Sequence, residues 1–264
     1  MITGASTGIG AACALHLDRL GWRVFAGVRR QTDADTLKAQ GSPRLTPIAL
    51  DVTDTVSIST AAGAVSGAVG PAGLTGLINN AGIVVPGPIE FLPLADLRRQ
   101  LEINVVGQVA VTQAFLPLIR TGRGRIVNMG SIAGRMATPF TGAYAASKFA
   151  LEAITDALRL EVAPWGISVS IVEPGAVATP IWEKSAKTAE AMLGSVPPEA
   201  LVLYSEAIEA VKNGLCDHGL VTVRMPGGTL EVDVRPDWSI RLKGPVEEVY
   251  AGTFARDLMD ALRA

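Results

Sequence analysis

The sequence predicts an α/β protein, built on a doubly wound parallel sheet with a β-rich extension at its C-terminal end. Up to about residue 175, short apolar runs alternate with amphipathic stretches, as the strands and helices of a covered parallel sheet do. From about residue 212, apolar residues recur instead at every second position in three short runs. That period is typical of antiparallel strands, so we expect a β-meander there.

Five strands and four helices are predicted in the first part of the chain. The strands are WRVFAGV (22–28), LTPIALDV (45–52), LTGLINNAG (74–82), GRIVNMGS (124–131) and GISVSIVEPG (166–175), and the helices span 9–21, 56–70, 95–120 and 143–166. We divide the chain into a domain at 1–211, which includes a lid at 180–204, and an extension at 212–264. In such a sheet, ligands bind at the carboxyl ends of the strands.

The amino-acid composition predicts which binding partners and which cell compartment to expect. The chain has 264 residues, and its 25 acidic and 23 basic side chains give no electrostatic bias toward nucleic acid or anionic membranes. The two cysteines, Cys13 and Cys216, lie too far apart to indicate a disulfide framework, which favours a reducing cytosol. No apolar run approaches the length of about 18 residues that spans a bilayer. We therefore expect a cytoplasmic protein without nucleic-acid, membrane or metal partners.

The opening segment MITGASTGIG (1–10) leaves only Met1 and Ile2 for the first strand, which is normally central in this fold. A strand truncated in this way should leave ladder groups of the sheet unpaired, each at a cost of about 1–3 kcal/mol. We expect either that the natural start lies upstream or that the chain is marginally stable.

The glycines of this segment predict a nucleotide site. Gly4, Gly8 and Gly10 let the backbone turn tightly, and the N-terminus of the following helix favours a pyrophosphate group. An ordinary turn is the alternative for this loop taken alone. NNAG (79–82) ends a predicted strand and should lie beside the glycine loop.

A second group of residues predicts acid/base chemistry. Ser131 ends a predicted strand, and Tyr144 and Lys148 follow it four residues apart. Residues at i and i+4 share one face of a helix, so Tyr144 and Lys148 can point into one pocket, toward Ser131. Each residue alone would be ordinary; their order and spacing favour a joint role.

Together these motifs resemble those of the classical short-chain dehydrogenases/reductases over residues 1–210: TGxxxGIG at 3–10, NNAG at 79–82, Asn104, Ser131, YxxxK at 144–148 and PG at 174–175. The resemblance implies a Rossmann-type fold and hydride transfer between NADP(H) and a carbonyl or secondary alcohol. Tyr144 would be the acid/base. Since a free tyrosine has a pKa near about 10, Lys148 and the positive nicotinamide are expected to lower it. Ser131 would orient the substrate oxygen, and Asn104 would hold a water of the proton relay.

Cofactor preference is predicted from the end of the second strand. Val28 stands where NAD-binding members carry an acidic residue, and Arg29 and Arg30 follow it, as suits the 2′-phosphate of NADP. Solvated surface charge is the alternative for these arginines, and NAD stays an alternative cofactor. The predicted cofactor contacts are Gly4, Ser6, Thr7, Gly8, Ile9, Gly10, Arg29, Arg30, Asp51, Val52, Asn80, Ala81, Gly82, Asn104, Tyr144, Lys148, Pro174, Gly175, Val177 and Thr179.

The substrate is predicted to be an apolar ketone, aldehyde or alcohol. Its expected contacts are Ser131, Phe140, Tyr144, Ile181 and Trp182, although an apolar stripe such as 181–193 is as often plain packing. The long helices 95–120 and 143–163 resemble those through which family members pair, so a homo-oligomer, dimer or tetramer, is expected.

The tail, about 213–264, resembles the C-terminal end of a diaminopimelate epimerase through its VTVxxPGG and GPxEEVxxG elements. The catalytic cysteines of that enzyme have no counterpart here, since Cys216 matches a non-catalytic position. A β-rich extension that diverged within the reductase is the alternative. Two rival functions follow: a catalytically impaired nucleotide-binding protein that retains the fold, and an epimerase or isomerase.

Overall fold

The computed structural model describes residues 1–175, 177, 179–194 and 202–205, and the backbone of three strands at 219–225, 228–234 and 240–243. The chain divides into two compact units, Met1–Pro197 and Pro198–Ala264. The predicted domain boundary at 211/212 lies outside the described residues, as do most of the predicted extension and Cys216.

The first unit has the alternating order expected of a doubly wound fold. Its strands are β1 (Val24–Val28), β2 (Leu45–Ala49), β3 (Gly76–Asn79), β4 (Arg125–Met129) and β5 (Ser168–Val172). Its helices are α1 (Gly8–Arg19), α2 (Gln31–Gln40), α3 (Thr55–Val69), α4 (Leu94–Leu101), α5 (Gly107–Thr121), α6 (Gly142–Val162) and α7 (Pro180–Leu193). The sequence analysis missed α2, a mostly polar helix of ten residues in which only Ala34 and Leu37 are buried.

All strand pairs of this unit are parallel. β1 pairs with β2, and β3, β4 and β5 form a second group in that order. Ile2 forms a bridge to Ala26 on one side and to Ile78 on the other, so it joins the two groups. In the described structure Ile2 is the first-strand residue that forms these two bridges.

The expectation that this position leaves its neighbours unpaired is wrong for the described residues. The Ile2 N–H donates to the Phe25 carbonyl at 2.9 Å, and the Ile2 carbonyl accepts from Gly27 at 2.7 Å. On the other side, Ile78 donates to the Met1 carbonyl at 2.8 Å, and Thr3 donates to the Ile78 carbonyl at 2.9 Å. The segment 1–3 therefore pairs with Phe25 and Gly27 of β1 and with Ile78 of β3.

Apolar clusters attach the helices to this sheet. One cluster joins α3 and α5 to β3 and β4 and includes Val65, Leu77, Phe115, Ile119 and Ile126. Another joins α1 and α2 to β1 and β2 around Ile2. Between them a buried polar chain crosses the strands: the Asn79 amide donates to Thr112 and Asn128, and the Asn128 amide donates to Thr155. These paired amides fix the register of β3 against β4 because each would be costly to bury alone.

The second unit contains an antiparallel meander. β6 (Gly219–Met225) pairs with β7 (Gly228–Val234), and β7 pairs with β8 (Ile240–Lys243). These strands fall on the three runs whose alternation predicts them, so the expected change from parallel to antiparallel structure is confirmed.

Candidate active site

The carboxyl ends of the parallel strands open into one cleft of about 280 Å³. Because the strands are parallel, the loops that follow all of them meet at this edge. The cleft is lined by most of the predicted site residues: Gly4, Ser6, Thr7, Gly8, Ile9, Arg29, Asp51, Val52, Asn80, Ala81, Gly82, Asn104, Ser131, Tyr144, Lys148, Pro174, Gly175, Val177, Thr179 and Ile181. Motifs separated by up to 170 residues of sequence therefore converge on one site.

The glycine loop is shaped by close backbone approach. Gly4 has a positive φ of 62°, and a Cβ on it would lie 2.7 Å from the Cα of Ala81. A Cβ on Gly10 would lie 2.4 Å from both the Asn80 amide nitrogen and the Gly4 carbonyl oxygen. Gly10 does not line the cleft among the described residues. Its close approach to Asn80 and Gly4 packs the loop against the end of β3, and a direct contact of Gly10 with the cofactor stays a prediction.

Two polar side chains tie this loop to the end of β3. The Thr3 hydroxyl accepts hydrogen bonds from the N–H groups of Asn80 and Ala81, at 2.9 and 3.0 Å. The Asn80 amide donates to the carbonyls of Thr3 and Gly4, both at 3.0 Å. The Asn80 amide is therefore engaged with the loop, and it positions the loop for whatever binds there.

The loop fits a phosphate group. Thr7 precedes α1, and its side chain makes no capping hydrogen bond; the first turn of α1 holds no acidic residue. The first N–H groups of a helix lack partners within the helix and carry a partial positive charge. A dinucleotide pyrophosphate is the group that such a loop accepts.

Ser131, Tyr144 and Lys148 line the same cleft. A side-chain hydrogen bond joins Ser131 and Tyr144. The Lys148 ammonium nitrogen lies 5.7 Å from the centre of the Tyr144 ring and donates to the Met129 carbonyl at 2.6 Å. The i, i+4 spacing on α6 thus places both side chains beside the end of β4, as predicted.

Burial shifts the pKa values of this pair in opposite senses. Burial raises the pKa of the Tyr144 hydroxyl, and its hydrogen bond with Ser131 opposes this in part. Burial lowers the pKa of Lys148 from 10.5 to about 8, partly opposed by the Glu152 carboxylate. In the protein by itself, burial of the phenol therefore outweighs the Ser131 hydrogen bond, and the lowering expected from Lys148 together with the positive nicotinamide stays a prediction.

Asn104 lies in a π-helical turn, Glu102–Val106, between α4 and α5. Its fully buried amide accepts from the Ile83 N–H at 2.9 Å and donates to the Ile83 carbonyl at 3.0 Å and to the Ser147 hydroxyl at 3.1 Å. Asn104 thus links the NNAG loop to the helix that carries Tyr144. A π-turn inside a longer helix is frequent at functional sites, but the sequence predicts an uninterrupted helix here.

Arg29 and Arg30, which follow β1, lie in different surroundings. Arg29 lines the cleft. Arg30 does not, among the described residues: its guanidinium donates to both carboxylate oxygens of Asp33, at 2.9 and 2.8 Å. Of the two predicted arginines, Arg29 therefore lines the cleft. Arg30 instead pairs with Asp33, which lies three residues further on, in the first turn of α2.

The substrate side is only partly as predicted. Ile181 lines the cleft, whereas the side chain of Trp182 lies outside the described part of the chain. Phe140 is not among the lining residues of the described structure, and its carbonyl accepts from the Gly87 N–H at 2.7 Å with φ at 63°. Phe140 as a wall of the substrate site stays a prediction. Lys184 and Ile103 line the cleft and were not predicted.

A family model for the short chain dehydrogenases matches residues 1–190. The chain belongs to this family. It is thus a nucleotide-dependent oxidoreductase of the short-chain dehydrogenase type, with the Rossmann-like fold and the NAD(P) chemistry of that family.

Several curated short-chain dehydrogenases are similar along most of the chain. Retinol dehydrogenase 5 of Mus musculus is 40% identical over 233 residues, which cover 84% of this chain and 73% of that protein. The 3-amino-tetrahydro-pyrrolizinone reductase of Xenorhabdus hominickii is 40% identical over 215 residues, 80% of this chain and 73% of that one. Human 17-beta-hydroxysteroid dehydrogenase type 6 is 45% identical over 175 residues, 66% and 55% of the two chains.

Solved structures are similar in fold. A short-chain dehydrogenase from Streptomyces avermitilis has a TM-score of 0.65 and 30% identity, over 81% of this chain and 94% of that one. A 3-ketoacyl-(acyl-carrier-protein) reductase from Brucella melitensis, complexed with NADH, has a TM-score of 0.66 and 26% identity, over 69% and 76% of the two chains.

Two further properties bear on partners. The helical run Leu94–Thr121 is long and apolar enough by composition to cross a membrane, a test that core helices of soluble proteins also pass. In this run Gln100, Asn104, Gln108 and Thr112 are buried. Among the described residues, no three His, Cys, Asp or Glu side chains lie close enough together to hold a metal ion.

Proposed function

We propose that this short-chain dehydrogenase transfers hydride between NADP(H) and an apolar carbonyl or secondary alcohol, with Tyr144 as the acid/base. The observation that carries the proposal is the meeting of Ser131, Tyr144 and Lys148 in the same cleft as the glycine loop. When bound there, the nicotinamide ring would supply or accept the hydride.

The described residues would handle the proton. In the reducing direction, the Ser131 hydroxyl would donate to the substrate carbonyl oxygen and orient it. The Tyr144 hydroxyl would donate its proton to that oxygen as negative charge develops, and the proton would return to tyrosinate from solvent. A raised pKa keeps Tyr144 protonated at neutral pH, so it suits the role of acid. In the oxidising direction, tyrosinate would have to form first.

The preference for NADP(H) rests on Arg29. Arg29 lines the cleft directly after the end of β1, and the preceding Val28 stands where an acidic residue would bind the ribose hydroxyls of NAD. Asp51 lies nearby, but its carboxylate accepts from the Thr53 N–H and hydroxyl, which leaves it turned to its own loop. NAD is the alternative cofactor.

The substrate class is inferred from relatives and from Ile181. Two similar proteins are named retinol dehydrogenase and 17-beta-hydroxysteroid dehydrogenase. Retinol and hydroxysteroids, the compounds in these names, are bulky apolar alcohols. Ile181 and Ile103 give this cleft apolar surface. We infer that a substrate of this class binds here.

The first experiment is a thermal shift of the whole protein with NADPH, NADH or no ligand. Ligand at about 100 times its dissociation constant should stabilise the folded state by about 2.7 kcal/mol. A rise with NADPH that exceeds the rise with NADH supports the proposal and justifies a screen of retinoid and steroid carbonyls by NADPH oxidation. No rise with either cofactor would favour the rival, a protein that retains the fold without its activity.

Three further proposals complete this account. We propose a homo-oligomer formed through the outer faces of α4, α5, the turn between them and α6, where Val106 and Phe149 are exposed. Light scattering after size exclusion tests this proposal.

We propose a cytoplasmic location, which cell fractionation tests. The resemblance of the tail to a diaminopimelate epimerase is kept as a hypothesis about its origin, and proton exchange at the α-carbon of diaminopimelate would test any remaining activity.

A further inference from the structure

The positively charged side chains near the turn that follows β1 differ from the pair that the sequence predicts. Arg29 lines the cleft, while the Arg30 guanidinium donates two hydrogen bonds to the Asp33 carboxylate, and neither Arg30 nor Asp33 is among the described lining residues. The side chain of Arg30 is 72% exposed, and that of Asp33 is 14% exposed. A phosphate dianion binds best where two or more donors converge, so a single arginine leaves this site incomplete.

A second cation reaches this region from the lid. Lys184, on α7, lines the same cleft as Arg29. Its ammonium nitrogen lies 3.4 Å from the hydroxyl oxygen of Thr7, at the tip of the glycine loop. Both Lys184 and Arg29 also act on the Asp33 carboxylate, where they help to lower its pKa. Lys184 therefore lies within electrostatic reach of the turn that follows β1.

The start of α7 is fixed against the glycine loop. A Cβ on Gly8 would lie 3.3 Å from the Cβ of Thr179 and 3.9 Å from the ring of Pro180. Helical side chains lean toward the N-terminus of their helix, which directs Lys184, one turn into α7, back over Thr7. This contact with a neutral hydroxyl is long and exposed, so it explains little of why a lysine is directed there.

We propose that Lys184, rather than Arg30, is the second cation that binds the 2′-phosphate of NADP(H), together with Arg29. The inference rests on the proposed cofactor preference and goes beyond it by assigning this contact to the lid. The negative charge of Asp33 does not oppose the phosphate strongly, because Arg30 neutralises it and Asp33 is not among the residues that line the cleft.

The test compares affinities by isothermal titration of the whole protein. The variants are Lys184→Gln, the double variant Arg30→Gln/Asp33→Asn and the matched control Lys187→Gln, which lies on the same helix outside the set of lining residues. The ligands are NADPH, NADH, adenosine 2′,5′-bisphosphate and adenosine 5′-monophosphate. We expect Lys184→Gln to weaken NADPH and the bisphosphate about 10-fold and to leave NADH and the monophosphate unchanged, because only the first two carry the 2′-phosphate. Lys187→Gln should bind all four ligands as the wild type does. Because Arg30→Gln alone frees the Asp33 carboxylate, it is tested as the double variant Arg30→Gln/Asp33→Asn, which should also bind all four as the wild type does.

Other outcomes overturn the inference. Equal loss of NADPH and NADH would assign Lys184 to the pyrophosphate that both share, and no loss would make it a surface lysine. If the double variant Arg30→Gln/Asp33→Asn weakened NADPH and Lys184→Gln did not, the sequence-predicted pair would be restored.

The proposed cofactor preference fails separately. Wild-type protein that binds NADH more tightly than NADPH contradicts that preference whatever the variants do. The bisphosphate still tests Lys184 in that case, since the monophosphate lacks only the 2′-phosphate. Wild-type protein that binds none of the four ligands would contradict both.

Discussion

Tyr144 holds its proton more firmly in the cleft than in water. Burial raises its pKa, and the hydrogen bond with Ser131 reverses this only in part. We predict that Tyr144→Phe lowers the rate of carbonyl reduction by about 10²–10⁴-fold, the usual contribution of a positioned acid. The measurement is single-turnover oxidation of NADPH with the best substrate from the screen.

The control for this variant is its binding of cofactor. Tyr144→Phe should show the same thermal shift with NADPH as the wild type, because the ring and its packing are retained. Reduction within a few-fold of the wild-type rate would mean that another group donates the proton.

Burial of Lys148 makes the free energy of unfolding depend on pH, and the direction of that dependence follows from its lowered pKa. Its pKa is about 8 in the folded state and near 10.5 when exposed, so between these values the unfolded chain binds the extra proton. The free energy of unfolding should therefore rise with pH across this window, by about 3 kcal/mol in total. Below about pH 8 burial of the ammonium group is a constant cost, which the Met129 carbonyl and Glu152 reduce.

We predict that Lys148→Met removes this rise and is more stable than the wild type at neutral pH. Urea unfolding at a series of pH values from about 7 to 10 measures both curves, and Lys38→Met, at an exposed site on α2, is the matched control. Parallel curves for wild type and Lys148→Met would show that the buried lysine keeps an ordinary pKa.

At the scale of elements, the glycine loop is held by side chains more than by its own backbone. One buried hydroxyl, on Thr3, accepts from two N–H groups at the end of β3. Thr3→Val keeps the shape of the side chain but leaves both donors without their acceptor, at about 1–3 kcal/mol each. We predict a loss of about 2–4 kcal/mol in unfolding free energy, together with weaker binding of both cofactors.

Thr3→Ser is the control for that substitution. It restores the hydroxyl and should recover most of the stability and of the cofactor affinity. If Thr3→Ser were as unstable as Thr3→Val, the lost methyl group and its packing would be responsible, rather than the hydrogen bonds.

The elements also show which features a sequence can predict. Ser131, Asn80 and Pro174 follow apolar runs, and parallel strands end at one edge, so their convergence follows from local patterns. The π-turn around Asn104, the Asp33 partner of Arg30 and the reach of Lys184 to Thr7 do not. The reach of Lys184 to Thr7, 177 residues away, depends on tertiary packing. The Arg30–Asp33 pair is local, at i and i+3, but it forms at the start of α2, a helix that is not among those predicted. The π-turn interrupts a run for which the sequence predicts one continuous helix.

At the scale of the whole first unit, continuity of the sheet depends on very few residues. β1 and β2 connect to β3, β4 and β5 through the segment 1–3, and Ile2 is 1% exposed between Ala26 and Ile78. The sequence does not show that the three residues Met1, Ile2 and Thr3 can pair on both sides. That pairing is a property of the backbones of β1 and β3.

Because Ile2 is both a bridge residue and a core side chain, its truncation should loosen the joint between the two groups of strands. We predict that Ile2→Ala lowers the unfolding free energy by about 2–5 kcal/mol, and Ile2→Val by about 0.5–1.5 kcal/mol. Hydrogen exchange distinguishes the mechanism: the N–H groups of Ile2, Gly27 and Ile78 should lose protection in Ile2→Ala before those within the β4–β5 pair do. Uniform loss of protection across both groups would instead mean that the sheet unfolds as one unit and that the joint is no weaker than the strands it connects.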